Sequence, residues 1–278
     1  EFRQDVAVDS PCLWDLERPQ LYRARSLVRV AGKLTDESEV PFGIREARFE
    51  PATGFWLNGR NLKLKGVCLH HDGGAVGAAV PLRIWERRLE LLKSIGCNAL
   101  RTSHNPVAPE FLALADRMGF LVMDEAFDAW TRSNVAFDYG QFFHDWWQAD
   151  LGDMILRDRN HPSIVIYSAG NEIHDVLYDP PLGLEVFKPK HALCHEMDPT
   201  RTVTVAVNQP QRSRIHDTGF ADLMDVAGYN YAEAHALEGR LARPDRKIIG
   251  TENGKSPAAW RAVRDHPDLP RLRSGLRL

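Results

Sequence analysis

The string Ile164-Val165-Ile166-Tyr167-Ser168-Ala169-Gly170-Asn171-Glu172 runs without a charge until it reaches a carboxylate, and this limits where it can sit. A strand with one wet face alternates apolar and polar residues, whereas a strand covered on both faces, as in a parallel sheet, reads as a continuous apolar run. The segment Lys247-Ile248-Ile249-Gly250-Thr251-Glu252 repeats the arrangement. In a parallel barrel the first polar residues beyond a strand's carboxyl end stand at the mouth, where active sites are built. Glu172 and Glu252 are therefore expected at one mouth, delivered by two different strands.

Similar runs place strands at 62–69, 99–102, 121–123, 164–169, 203–207, 226–229 and 248–251. Between them lie helical patterns. Trp85, Leu89, Leu92 and Ile95 recur at helical spacing. Phe111, Leu114, Ala115 and Met118 mark one face of a helix over 110–118, and a third helix over 142–159 stops before His161-Pro162. Seven strands alternating with helices point to an α/β fold, a (β/α)8 TIM-type barrel lacking its eighth strand, although the pattern alone also admits a doubly wound open sheet. After Glu252 the chain ends in Arg271-Leu272-Arg273-Ser274-Gly275-Leu276-Arg277-Leu278, whose arginines suit a buried parallel strand badly. That tail is expected to be disordered or foreign to the barrel, which makes the barrel, 49–278, truncated after strand seven. Residues 1–48 carry extended segments such as Leu21 to Val28 and read as part of a β-sandwich, too short for the roughly seven strands of a whole one. The start at Glu1 reads as internal to a longer chain.

Charge narrows the partners: 35 basic and 38 acidic residues are spread along the chain, so no field favours nucleic acid or an anionic membrane surface. No stretch approaches the roughly 20 apolar residues that span a bilayer. Cys12, Cys68, Cys97 and Cys194 are scattered, as suits small buried hydrophobes better than a disulfide framework. None of this fixes a compartment, so localisation stays unknown.

Two glutamates at one mouth suggest glycoside hydrolysis. Retention of configuration needs one carboxyl group protonated and a second ionised, roughly 5 Å apart. More specific are the strings Gly66-Val67-Cys68-Leu69-His70-His71-Asp72, Arg101-Thr102-Ser103-His104-Asn105-Pro106, Asp124-Glu125-Ala126-Phe127, Arg157-Asp158-Arg159-Asn160-His161-Pro162-Ser163 and Gly170-Asn171-Glu172. Taken in this order, they resemble the barrel of glycoside hydrolase family 2, over about residues 12 to 270. Within that family, His70-His71-Asp72-Gly73-Gly74-Ala75 followed by Ser103-His104-Asn105-Pro106 is most similar to bacterial β-galactosidases.

The resemblance implies an immunoglobulin-like domain ending near residue 48 and a retaining β-galactosidase working by double displacement. Glu172 would be the general acid/base and Glu252 the nucleophile, with Arg101 holding the latter ionised. Asn171 would hydrogen-bond the sugar 2-hydroxyl, His70 and His104 would contact the sugar or support the site, and the Tyr231 hydroxyl would sit beside the nucleophile. Tyr229 reads as core. Trp130, just past the third strand, is a candidate sugar-stacking platform, whereas Trp146 and Trp147 fit core packing. In the family, the eighth strand also brings a stacking tryptophan that this chain does not supply, so activity of the truncated chain is expected to be slow or absent.

No cofactor is implied. His191 and His195, four apart on a helix and flanking Cys194, have zinc-chelating spacing but no evident third ligand. The magnesium ligands of some family members are not reproduced in Ala126-Phe127-Asp128-Ala129-Trp130, so no metal is expected. The partner is a carbohydrate, and a homo-oligomer is compatible with the full-length protein. Two alternatives stay open: a β-glucuronidase, which would need a cationic or amide clamp for the sugar carboxylate, and a non-catalytic carbohydrate-binding remnant.

Overall fold

A computed structural model describes residues 3–254, Ser256 and Leu276–Arg277. The chain opens with an antiparallel hairpin of β1 (Tyr22–Val30) and β2 (Lys33–Phe42), exposed along most of its length. A small antiparallel sheet follows, made of β3 (Ala47–Glu50), β4 (Gly54–Leu57) and β5 (Arg60–Leu62). Phe55 and Leu57 of this sheet are fully buried, so it caps the core.

The parallel strands come next: β6 (Gly66–His70), β7 (Ala99–Ser103), β8 (Leu121–Glu125), β9 (Ile164–Asn171), β10 (Thr202–Val207), β11 (Ala227–Asn230) and β12 (Ile248–Glu252). They are hydrogen-bonded in chain order. Between them run α1 (Leu82–Ser94), α2 (Pro109–Met118), α3 (Phe143–Asp158), α4 (His174–Tyr178), α5 (Pro180–Met197), α6 (Phe220–Leu223) and α7 (Glu233–Ala242). All eight residues of β9 are buried, as its uninterrupted apolar run requires. Every predicted parallel strand is present. The first is shorter than expected, because residues 60–62 turn aside into the small sheet.

Among the described residues no eighth strand of barrel length is found. A two-residue segment, β13 (Leu276–Arg277), pairs parallel with β6, Leu276 opposite Val67 and Arg277 opposite Cys68. The expectation that no part of the arginine-rich tail joins the sheet is corrected at these two residues; the rest of that expectation, over 257–275, lies outside the described residues. No pairing joins β12 to β13 among the described residues, so the sheet is an open barrel.

Trp14 ties the amino-terminal segment to the barrel. Its ring is fully buried, its Nε1 donates to the Asp116 carbonyl at 2.9 Å, and its backbone N–H donates to the Ile44 carbonyl at 2.8 Å. Beside it, α2 ends at Gly119 with φ +68°, and a Cβ there would collide with the Leu16 carbonyl. Only glycine meets both demands.

Candidate active site

Four strand ends bring carboxyl or amide groups to one mouth. Strand β9 ends at Gly170-Asn171-Glu172, and Glu172, just beyond it, adopts φ +46° while its N–H donates to the Ala206 carbonyl of β10 at 2.8 Å. Strand β12 delivers Glu252, β8 delivers Glu125 and β11 delivers Asn230. All three are buried.

Arg101, inward from β7 and 4% exposed, organises these groups. Its Nη1 donates to Glu252 Oε1 at 2.9 Å, and its Nη2 to Asn171 Oδ1 at 2.9 Å. Its Nε and Nη2 also reach Glu125, at 3.1 and 2.7 Å to Oε2. Burial by itself would lower the guanidinium pKa, but Glu125, Cys68 and Glu252 around it raise it above the usual arginine value. For Glu125, burial pushes upward, yet the Arg101 charge and hydrogen bonds from His104 and Ser168 hold its carboxyl below the ordinary glutamate range.

The two expected catalytic glutamates differ in company. Glu252 faces Arg101, accepts from the Tyr231 hydroxyl at 2.5 Å and lies 3.5 Å from His104 Nε2. Glu172 is held by neutral amides: Asn208 Nδ2 donates to its Oε2 and Asn230 Nδ2 to its Oε1, both at 2.9 Å. Asn230 Nδ2 also approaches Asn171 Oδ1 at 3.0 Å, so a continuous hydrogen-bonded path runs from Glu172 through Asn230, Asn171 and Arg101 to Glu252. The two carboxyls are thus linked through shared partners at the carboxyl ends of the strands.

His104 sets its Nδ1 2.7 Å from Glu125 Oε1, and His70, ending β6, meets it edge to face with ring centroids 5.1 Å apart. His70 and His104 line a depression with Asp72, Asn105 and Asp128, and Asp128 accepts from Asn171 Nδ2 at 2.9 Å. A second depression is lined by Glu172, Asn208, Arg212, Tyr231 and His235. The mouth thus gathers His70, Arg101, His104, Asn171, Glu172, Tyr231 and Glu252. Tyr229 is buried in the core, as its neighbours in sequence suggest.

Trp130 does not join them. Its ring is fully buried, stacks on Phe187 at 6.2 Å and donates from Nε1 to the Ala169 carbonyl at 2.9 Å. A Cβ at Gly170 would stand 3.0 Å from that nitrogen, so the missing side chain of Gly170 lets the indole lie beneath the strand end. The expectation of a sugar platform at Trp130 is corrected, because a ring with no exposed face cannot stack on a pyranose. Lys190 lies over the same ring at 4.9 Å and over Phe143 and Trp147 at 4.3 Å each; burial draws its pKa down to about 7. Trp147 packs with this group, while Trp146 is exposed.

Four residues at the site carry no role in the sequence reading: Glu125, Asp128, Asn208 and Asn230. Glu125 bears the same signal as the two expected acids, since Leu121-Val122-Met123 runs into Asp124-Glu125. The only group of metal-binding type among the described residues, His191, His195 and Asp225, lies away from the mouth: Asp225 precedes β11 and bonds to Val203 near the start of β10. Asp225 is the third side chain that the sequence reading did not find.

Residues 51–249 match the family described as glycosyl hydrolases family 2, TIM barrel domain, and residues 1–45 match a further domain described as glycosyl hydrolases family 2. A β-galactosidase of Bacteroides ovatus, BoGH2A, is 39% identical over 92% of the chain. A protein of Formosa agariphila named as a putative β-glucuronidase is also 39% identical over 92% of it. The chain spans 33% of the first of these relatives and 22% of the second. Among solved structures, a family 2 member from Bacteroides cellulosilyticus superposes with a TM-score of 0.88 at 38% identity, covering 96% of this chain and 34% of that one.

Proposed function

The chain belongs to glycosyl hydrolases family 2, and from that premise we propose that it carries the catalytic barrel of a retaining glycosidase acting on terminal β-D-galactosides. One observation carries the assignment of roles: Glu252 is met by a cation and a phenol, Glu172 by carboxamides alone. A nucleophile must present an ionised oxygen, which a guanidinium stabilises. An acid/base group must gain and lose a proton each cycle, which neutral amides permit.

In this reading a Glu252 oxygen attacks the anomeric carbon as the bond to the leaving oxygen breaks, and Glu172 gives its proton to that oxygen. The galactosyl ester on Glu252 is then cleaved by water, whose proton returns to Glu172 while the C–O ester bond opens. Asn171, with its Oδ1 fixed by Arg101 and Asn230 and one amide hydrogen on Asp128, turns its remaining amide hydrogen to the sugar 2-hydroxyl. His70 and His104 offer ring nitrogens to sugar hydroxyls.

A second reading, β-glucuronidase, keeps both carboxyls and requires a partner for the sugar's own carboxylate. Arg212, which lines the depression beside Glu172, is the observation in its favour. Incubation with the 2-deoxy-2-fluoro glycosyl fluorides of galactose and of glucuronic acid, followed by peptide mass mapping, tests both. Labelling of Glu252 by the galactoside alone is expected. Labelling by the glucuronide alone would replace the sugar assignment, and a label on another residue would overturn the mechanism.

A further inference from the structure

We propose that His191, His195 and Asp225 form a binding site for a divalent transition cation of the zinc class, at the end of the barrel opposite the mouth. The two histidines stand one turn apart on α5, and Asp225 comes from the segment leading into β11. His191 Nε2 lies 3.4 Å from Asp225 Oδ1 and His195 Nε2 lies 2.8 Å from Asp225 Oδ2, with the three ligand atoms all within 4.8 Å of one another. A tetrahedral ion with bonds of about 2.0–2.2 Å separates its ligands by roughly 3.3–3.6 Å. The His191–Asp225 separation already meets that spacing, and side-chain torsions of His195 and Asp225 would bring the remaining atoms to it.

The surroundings favour an ion over a bare pair of hydrogen bonds. Asp225 is oriented from behind, its Oδ2 accepting from Val203 N–H at 2.7 Å and its own N–H donating to the Val203 carbonyl at 3.0 Å. Phe187 stands edge-on to His191 at 5.7 Å and sets the ring plane. Such supporting contacts fix the direction of a ligand's lone pair. The three side chains keep 18 to 32% of their surface open, which leaves room for water as a fourth ligand. Two imidazoles and one carboxylate select zinc, copper, nickel or cobalt over magnesium or calcium, which take oxygen ligands. Cys194, between the histidines in sequence, is buried and belongs to the core. A bound ion would clasp α5 to the start of β10 and β11, and its role would be structural.

The full chain, stripped with a chelator, is titrated with Zn2+ alone by calorimetry, and its four-coordinate Co2+ absorption is recorded. The wild type is expected to bind one equivalent in the micromolar range with a rise in thermal midpoint. His195→Gln changes a half-exposed helix position, and Asp225→Asn retains an acceptor for Val203 N–H, so each is expected to keep its far-UV dichroism and to lose about tenfold or more in affinity. Absence of micromolar binding by the wild type, or equal binding by wild type and both variants, overturns the proposal.

Discussion

Asn230 donates to Glu172 Oε1 at 2.9 Å while its own Oδ1 accepts from the Thr251 hydroxyl at 2.6 Å, so one carboxamide couples the Glu172 carboxyl to the strand that carries Glu252. A hydrogen bond to an ionisable group is worth about 1.5–3 kcal/mol. Asn230→Ala should accordingly lower kcat on a nitrophenyl β-galactoside by roughly 10- to 100-fold. Loss of activity smaller than twofold would show that Asn230 has no part in holding Glu172.

Removal of the proposed proton donor, Glu172, should be visible through the leaving group. General acid/base catalysis contributes about 10²- to 10⁴-fold, so Glu172→Ala should be slowed by that order on a poor leaving group and far less on dinitrophenolate. Added azide should restore turnover and yield the β-galactosyl azide. A product of inverted configuration would contradict double displacement.

Lys190 is the clearest source of pH dependence in stability. Its folded pKa, drawn to about 7 by burial, lies below the unfolded value near 10.4, so between these two pH values the unfolded chain binds a proton that the folded chain does not. Stability therefore rises with pH across that window, and the full cost of charging the buried amine is present below pH 7. Three aromatic faces offset part of this cost. Lys190→Met should stabilise the protein by an amount on the order of a few kcal/mol at pH 6, shrinking toward pH 10. Urea unfolding of both proteins at a series of pH values checks it, and parallel curves would refute it.

Trp14 should be the main structural tie of the amino-terminal segment. Trp14→Ala empties a fully buried indole site and leaves the Asp116 carbonyl without its donor, at a cost of about 3–5 kcal/mol. Denaturant titration is the measurement, and a loss under about 1 kcal/mol would place the tie elsewhere.

Strands buried on both faces announce themselves as continuous apolar runs, which is why all seven long barrel strands, and the position of Glu172 and Glu252 at two of their carboxyl ends, were legible in the sequence. Glu125 obeys the same rule but follows an aspartate, and without geometry nothing says which strand-end carboxyl Arg101 grips most fully. Asn208 and Asn230 are single carboxamides whose chemistry depends on what lies opposite. Trp130 misled because its position past a strand end in sequence says nothing of the space beneath Gly170, which only the missing Cβ opens. Asp225 lies 30 residues from His195, a distance that no local spacing rule spans.

The left-handed backbone at Glu172 sets the chain's stability against its chemistry. A non-glycine residue at φ +46° is held there at a cost of about 1–2 kcal/mol, which glycine would avoid. Selection for robustness alone would favour glycine at this position and erase the carboxyl proposed as proton donor. A library screened only for heat resistance should therefore drift toward glycine at position 172, giving a sturdier barrel without the proposed acid.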